Sequence, residues 1–270
     1  MMATLAFLSA LSAFPAQDGQ LRFTNERPTY CMWGATRAGN KYIPGDVYFL
    51  SFDIENLSVD KNGKVSYRMS MEVTDKNGKR QFKADPEKTE LISSLGGARL
   101  PAFVAAPLGT DVAPGEYTVK VEVEDVATKK KIELAKKFEV TAREFGLVRP
   151  NTSIDSEAKI PAPSVAAVPG QALWFHFGVV GFKRDEKTKK PNMTLEWRVL
   201  DESGKPTLEK PITGEFNESS AIDDNWSLIP TSFLLTLNRV GKFTVEIKAI
   251  DKLADKTTTL KFPITVIDAK

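Results

Sequence analysis

The two side chains that carry most metal and nucleophile chemistry are almost missing. The chain has one cysteine, Cys31, and one histidine, His176. One cysteine excludes an internal disulfide. One of each excludes a Cys₂His₂-type zinc site and a histidine-rich catalytic metal site. A Ser-His-Asp triad would have to use His176, and no Gly-x-Ser-x-Gly elbow accompanies it. No Gly-rich loop precedes a helix, so no phosphate cradle is readable. Charge of one sign is lacking too: 37 Lys and Arg face 35 Asp and Glu, a net charge of +2. That balance gives no broad field for nucleic acid or an anionic membrane. No segment has a helical period of useful length. The apolar run of the first residues is too short to span a bilayer, and no other stretch is long and apolar enough.

What is present is a duplication. Pro44-Gly45-Asp46-Val47-Tyr48-Phe49-Leu50-Ser51-Phe52 is answered by Pro169-Gly170-Gln171-Ala172-Leu173-Trp174-Phe175-His176-Phe177. Pro114-Gly115-Glu116-Tyr117-Thr118-Val119 is answered by Val240-Gly241-Lys242-Phe243-Thr244-Val245. The offset is 170 − 45 = 125 at the first glycine pair and 241 − 115 = 126 at the second. Two copies of one domain follow, over 17–141 and 142–270. Each is large enough to bury a core without metals or disulfides. Phe23…Arg27-Pro28 and Phe145…Arg149-Pro150 suggest matched openings, and Thr141 to Arg143 is the natural joint. So short a joint favours one relative orientation.

The apolar period is two almost throughout. Tyr117, Val119, Val121 and Val123 alternate with polar residues, as do Phe243, Val245, Ile247 and Ala249. That pattern marks strands with one buried and one wet face. Asp75-Lys76-Asn77-Gly78-Lys79 and Asp201-Glu202-Ser203-Gly204-Lys205 are hairpin turns, glycine supplying the positive φ. Strands are expected near 21–25, 46–57, 65–74, 79–83, 99–107, 116–124 and 131–140 in the first copy. In the second they fall near 144–148, 171–182, 193–200, 206–213, 226–236, 242–250 and 257–267. Seven short strands per copy predict an all-β fold of two tandem immunoglobulin-like antiparallel β-sandwiches.

Met1 to Ala16 is an apolar run ending in small residues, the pattern of a secretory signal peptide, although no Lys or Arg precedes it. No Cys follows it, so a lipoprotein anchor is not expected. The phrase Ala113-Pro114-Gly115-Glu116-Tyr117-Thr118-Val119-Lys120-Val121, with Phe138-Glu139-Val140 after a Lys-rich turn, resembles the last strands of bacterial Ig-like and fibronectin-type-III-like domains. Gly241 to Asp251 and Ile264-Thr265-Val266 look the same. The resemblance covers both copies and implies extracytoplasmic spacer, adhesion or partner-binding modules, some carrying carbohydrate sites. It is a likeness of folds, and folds do not dictate function.

Candidate site residues are few. Trp174, aligned with Phe49, and His176, aligned with Ser51, fall on the outward face of one strand. They suit either a binding face or a packed contact. Trp174 and Trp226 are the candidate stacking platforms for sugar. Asp223 and Asp224 on a loop are a possible Ca²⁺ site, whereas Asp60-Lys61-Asn62-Gly63 reads as turn chemistry. Cys31 reads as a packed side chain, with an intermolecular disulfide as the alternative. No catalytic residue or required cofactor is assigned, and no carboxylate pair stands out. The expected function is a non-enzymatic structural or protein-interaction module that is secreted, periplasmic or at the cell surface. A carbohydrate-binding protein is the alternative, and a hydrolase on a β-sandwich comes third. The expected partner is a protein or glycan of the cell envelope.

Overall fold

The computed structural model describes residues 19–217 and 219–268; the segment 1–16, expected from the sequence to be a signal peptide, lies outside them. The first module contains β1 (Arg22–Thr29), β2 (Lys41–Tyr42), β3 (Val47–Glu55), β4 (Lys64–Asp75), β5 (Arg80–Ile92), β6 (Arg99–Pro107), β7 (Gly115–Asp125) and β8 (Lys131–Val140). The second contains β9 (Gly146–Ser153), β10 (Ala172–Val180), β11 (Met193–Leu200), β12 (Ile212–Phe216), β13 (Leu228–Thr236), β14 (Gly241–Asp251) and β15 (Lys256–Val266). No helix occurs among the described residues.

Each module is a sandwich. In the first, sheet β1-β3-β6 faces sheet β2-β8-β7-β4-β5. In the second, β9-β10-β13 faces β12-β11-β14-β15. Strand β2 runs parallel to β8, and a single parallel bridge joins Ala167 to Val266 at the matching place. Each three-stranded sheet has no fourth strand beyond β6 or β13 among the described residues. The alternation explains the cores: Val119, Val121 and Val123 are fully buried in one, Val245, Ile247 and Ala249 in the other. At about 1.5–3 kcal/mol per large side chain, each such row is a major source of stability.

The edges depart from the expected strands. Strand β5 runs to Ile92 rather than ending near 83, and β12 occupies 212–216 rather than 206–213. Both edges are wet on both faces, so their sequences lack alternation. The openings align differently as well. Arg27 pairs with Ser51 and Asn151 with His176, so Arg27 matches Asn151, not Arg149. The residues that do match are Asn25 (φ 52°) and Arg149 (φ 54°), each inside a bulge where two residues face one.

Two buried aspartates recur at the ends of β7 and β14. Asp125 accepts bonds from Ser58 N and Oγ at 2.9 and 2.6 Å and from Ala127 N at 2.9 Å. Asp251 accepts from Lys183 N at 2.7 Å and Leu253 N at 3.0 Å. Each carboxylate ties a hairpin turn to the loop leaving the middle strand of the other sheet. Tyr117 Oη donates to Ala113 O at 2.7 Å, a tyrosine corner that Phe243 cannot make in the second module.

Candidate functional site

His176 sits mid-strand on β10, facing outward as expected and half-buried. Its Nε2 lies 2.6 Å from Ser153 Oγ, and Ser153 Oγ donates to Asp155 O at 2.6 Å. Ser153 has one hydroxyl proton, and the carbonyl takes it. Nε2 must therefore carry its own proton and donate to Oγ. A nucleophilic serine needs the opposite arrangement, with the ring accepting the hydroxyl proton. Ser153 is also only 1% exposed. The Asp155 carboxylate is held by the amides of Glu157, Lys159 and Ile160. Burial pushes the His176 imidazole below its ordinary value, against the pull of the Asp155 carbonyl and charge. The first module has Thr29 Oγ1 3.0 Å from Ser51 Oγ at the matching place. The pair is thus a repeated polar tie between the first and second strands of each module. Sequence reading missed Ser153 because Arg149-Pro150 suggested an alignment two residues away.

Trp174 is half-buried on the same face, between Ser153 and Leu234 in the neighbouring strands. Trp226 is 42% exposed on a separate loop. There Arg184 Nη2 donates to the carbonyls of Asp223 and Trp226 at 2.9 and 2.8 Å. Asp223 Oδ1 accepts from Asn225 N at 2.8 Å, while Asp224 pairs with Lys190 Nζ at 2.9 Å. The two carboxylates are therefore occupied by a turn and an ion pair. Among the described residues, no three Cys, His, Asp or Glu side chains converge as a metal site. Asp60 and Asp75 each cap two amides of their own turns.

Cys31 belongs to the core of the second module although it lies in the first copy's sequence. Burial pushes its thiol up to about 11, only partly offset by a bond to the Thr152 backbone. Beside it the modules are joined through Asp46, itself 1% exposed. Arg37 Nη1 donates to Asp46 Oδ2 at 2.7 Å, and Arg149 N donates to Oδ1 at 2.9 Å. Arg149 Nε donates to Gly45 O at 2.6 Å. Gly45 (φ 99°) has no room for a Cβ against Val180. The Pro-Gly-Asp turn of the first module is thus a docking element, which its sequence does not reveal.

The same end of the second module points away from the first. It exposes Ile154, Ile160, Val165, Leu234 and Val240. A largely apolar groove of about 490 Å³ opens there, lined by Trp197, Val199, Leu208, Leu235, Leu237 and Phe243, with Asn238 and Arg239 also in its wall. Ile264 also lines it, where the first module has Phe138.

No family model matches the chain. No curated protein matches it either. No helix among the described residues is long and apolar enough to cross a membrane. Among solved structures, the chain is similar to the C-terminal domain of the AgI/II polypeptide BspA of Streptococcus agalactiae, at 6% identity over 90% of this chain and all of that one, with a TM-score of 0.30, a likeness too distant to carry an argument.

Proposed function

We propose that this chain is a non-enzymatic, extracytoplasmic protein whose two Ig-like modules hold an apolar surface toward a protein partner. One observation carries the reading. Ile154, Ile160, Val165, Leu234 and Val240 are all exposed, on segments that lead to the distal end of the second module, and Ile154 N donates to Ile160 O at 2.9 Å. The matching end of the first module is covered by the second. Large apolar clusters left open to water mark interaction sites in soluble proteins. The polar groups that would serve an enzyme are meanwhile committed to structure: Ser153 and His176 to each other, Asp223 and Asp224 to a turn and an ion pair. Localisation rests on the signal-like run at 1–16 and on the family resemblance.

The test is chemical crosslinking of the native chain in envelope extract beside an Ile154→Ser, Ile160→Ser variant of equal melting temperature. The expected result is a polypeptide joined to the native protein and lost with the variant. Retention of polysaccharide alone would favour carbohydrate binding instead. A partner captured equally by both proteins would remove the distal end from the reading.

A further inference from the structure

The groove at the distal end of the second module lies along a free strand edge. Strand β13 pairs with β10 on one side and with no described strand on the other. Leu237 N donates to Gln171 O, so odd-numbered amides point toward β10. Amides in a strand alternate in direction. Pro230, Ser232, Leu234 and Thr236 therefore face away from β10. Proline has no N–H, so the outward amides are those of Ser232, Leu234 and Thr236.

The edges β5 and β6 of the first module are protected. Strand β5 carries Arg80, Lys83, Asp85, Glu87, Lys88 and Glu90, with Pro86 among them. In β6, Leu108 N donates to Asp46 O, so the outward positions are Pro101, Phe103, Ala105 and Pro107. Two prolines bracket two amides there. Strand β13 has no charged residue and one proline, at its start. Charge and proline are the usual devices that keep an edge from recruiting another strand.

The opposite wall is thinner along the same stretch. Strand β12 pairs with β11 only from Met193 to Trp197. Beyond that, β11 is accompanied by the short segment 206–207, through the Leu200–Pro206 bridge and a Thr207 N–Val199 O bond at 2.9 Å. In the first module β5 accompanies β4 from Lys64 to Thr74. The groove thus lies between β13 and the end of β11, with Thr207 and Leu208 in its lining. Side chains are also smaller here: Leu173 and Ile264 stand where the first module packs Tyr48 and Phe138 face to face at 4.4 Å.

We infer that β13 is a strand-addition site, and that its occupant is an extended, uncharged segment of a partner protein with apolar residues at alternate positions. This names the partner chemistry of the interaction reading above and rests on it. The unpaired amides and carbonyls of 232–236 select an extended backbone. One set of its side chains fills the groove against Trp197, Leu235 and Leu237. The other set lies on the outer face beside Leu234 and Trp174. The added strand would take the position of the fourth strand in a four-stranded immunoglobulin sheet.

The probe is the synthetic peptide Lys-Thr-Val-Thr-Val-Thr-Val-Thr-Lys, added to the full chain at millimolar concentration. Hydrogen exchange is read by NMR. The expected result is at least tenfold slower exchange at Ser232, Leu234 and Thr236, with the Phe103 and Ala105 amides unchanged. The protection should vanish for a peptide N-methylated at alternate residues. It should also vanish in Leu234→Lys and, separately, Thr236→Lys, both exposed positions whose variants are checked by melting. No slowing at the three amides overturns the inference, as does slowing that survives N-methylation. Protection without peptide in a dimer seen by sedimentation also overturns it, making a second copy the occupant. If the peptide fails while crosslinking still captures a partner at the distal end, strand addition falls and the interaction reading stands.

Discussion

Replacing Asp46 with alanine tests whether the two modules are bound into one body. The carboxylate is almost wholly buried and serves three donors: Arg37 Nη1, Arg149 N and Val47 N. Alanine removes all three acceptor contacts and leaves Arg37, whose side chain is 16% exposed, without its carboxylate. Removing one partner of a buried ion pair typically costs about 3–5 kcal/mol. An orphaned buried amide adds roughly 1–3 kcal/mol unless water reaches it. Because Arg37 retains some solvent access, the lower part of the range is expected, about 3–4 kcal/mol. For a module of this size that is a fall in melting temperature on the order of 10–15 °C. The assay is urea unfolding of wild type, Asp46→Ala, Arg37→Ala and the double variant, with small-angle scattering of the native forms. The double-mutant cycle should give a coupling above about 1 kcal/mol, and Asp46→Ala should broaden the distribution of module orientations. Strict additivity, or a loss for Asp46→Ala below about 1 kcal/mol, would refute the account of the joint.

Three further outcomes follow from the buried groups. Tyr117→Phe should cost about 1 kcal/mol by removing the bond to Ala113 O, measured by urea unfolding, and no change would mean the corner is ornamental. Burial opposes ionisation of Asp125, but the Ser58 bonds and the Ala127 and Thr128 amides outweigh it and hold its pKa below the ordinary aspartate value. Since the folded pKa is the lower one, its stabilisation is present above the ordinary aspartate range and lost as pH falls through the folded value. Asp125→Asn should therefore flatten the acid limb of a stability–pH curve, and an unchanged limb counts against the carboxylate staple. Cys31, raised to about 11 and buried, should react with a disulfide reagent only at the rate of unfolding. Stoichiometric labelling of the native protein within minutes would show that the second core does not enclose it.

The strands legible in the sequence are those with one wet and one dry face. Strands β7 and β14 read directly from Val119, Val121, Val245 and Ile247, because burial on alternate sides leaves an alternating text. Strand β2 could not be read, since two residues hold no period. The far half of β5 and the placement of β12 were hidden for a related reason: an edge wet on both faces is written in polar residues, like a loop. The outward positions of Trp174 and His176 followed from parity alone. The partner of His176 did not, because Ser153 is reached only after a bulge that shifts the register. Asp46 was invisible as a joint. Its Pro-Gly-Asp setting is ordinary turn chemistry, and its burial comes from a residue 103 positions later.

Matching the two modules strand by strand also explains why the two ends of the molecule differ. In the first module Tyr42, Tyr48, Tyr117 and Phe138 form one aromatic cluster beneath the joint, with ring centroids 4.4–5.7 Å apart. Ala167, Leu173, Phe243 and Ile264 occupy the matching register in the second. Three of those four exchanges remove a ring from a core that tolerates voids poorly. A second module that had to close its own end would be expected to refill that volume. It keeps the β7-like row and the Asp251 staple, which hold the sandwich together, and it gives up bulk only toward the groove under β13. Loss of packing confined to one free edge, on a strand with no charged residue and a single proline near its start, is the pattern expected if that volume is supplied from outside the chain.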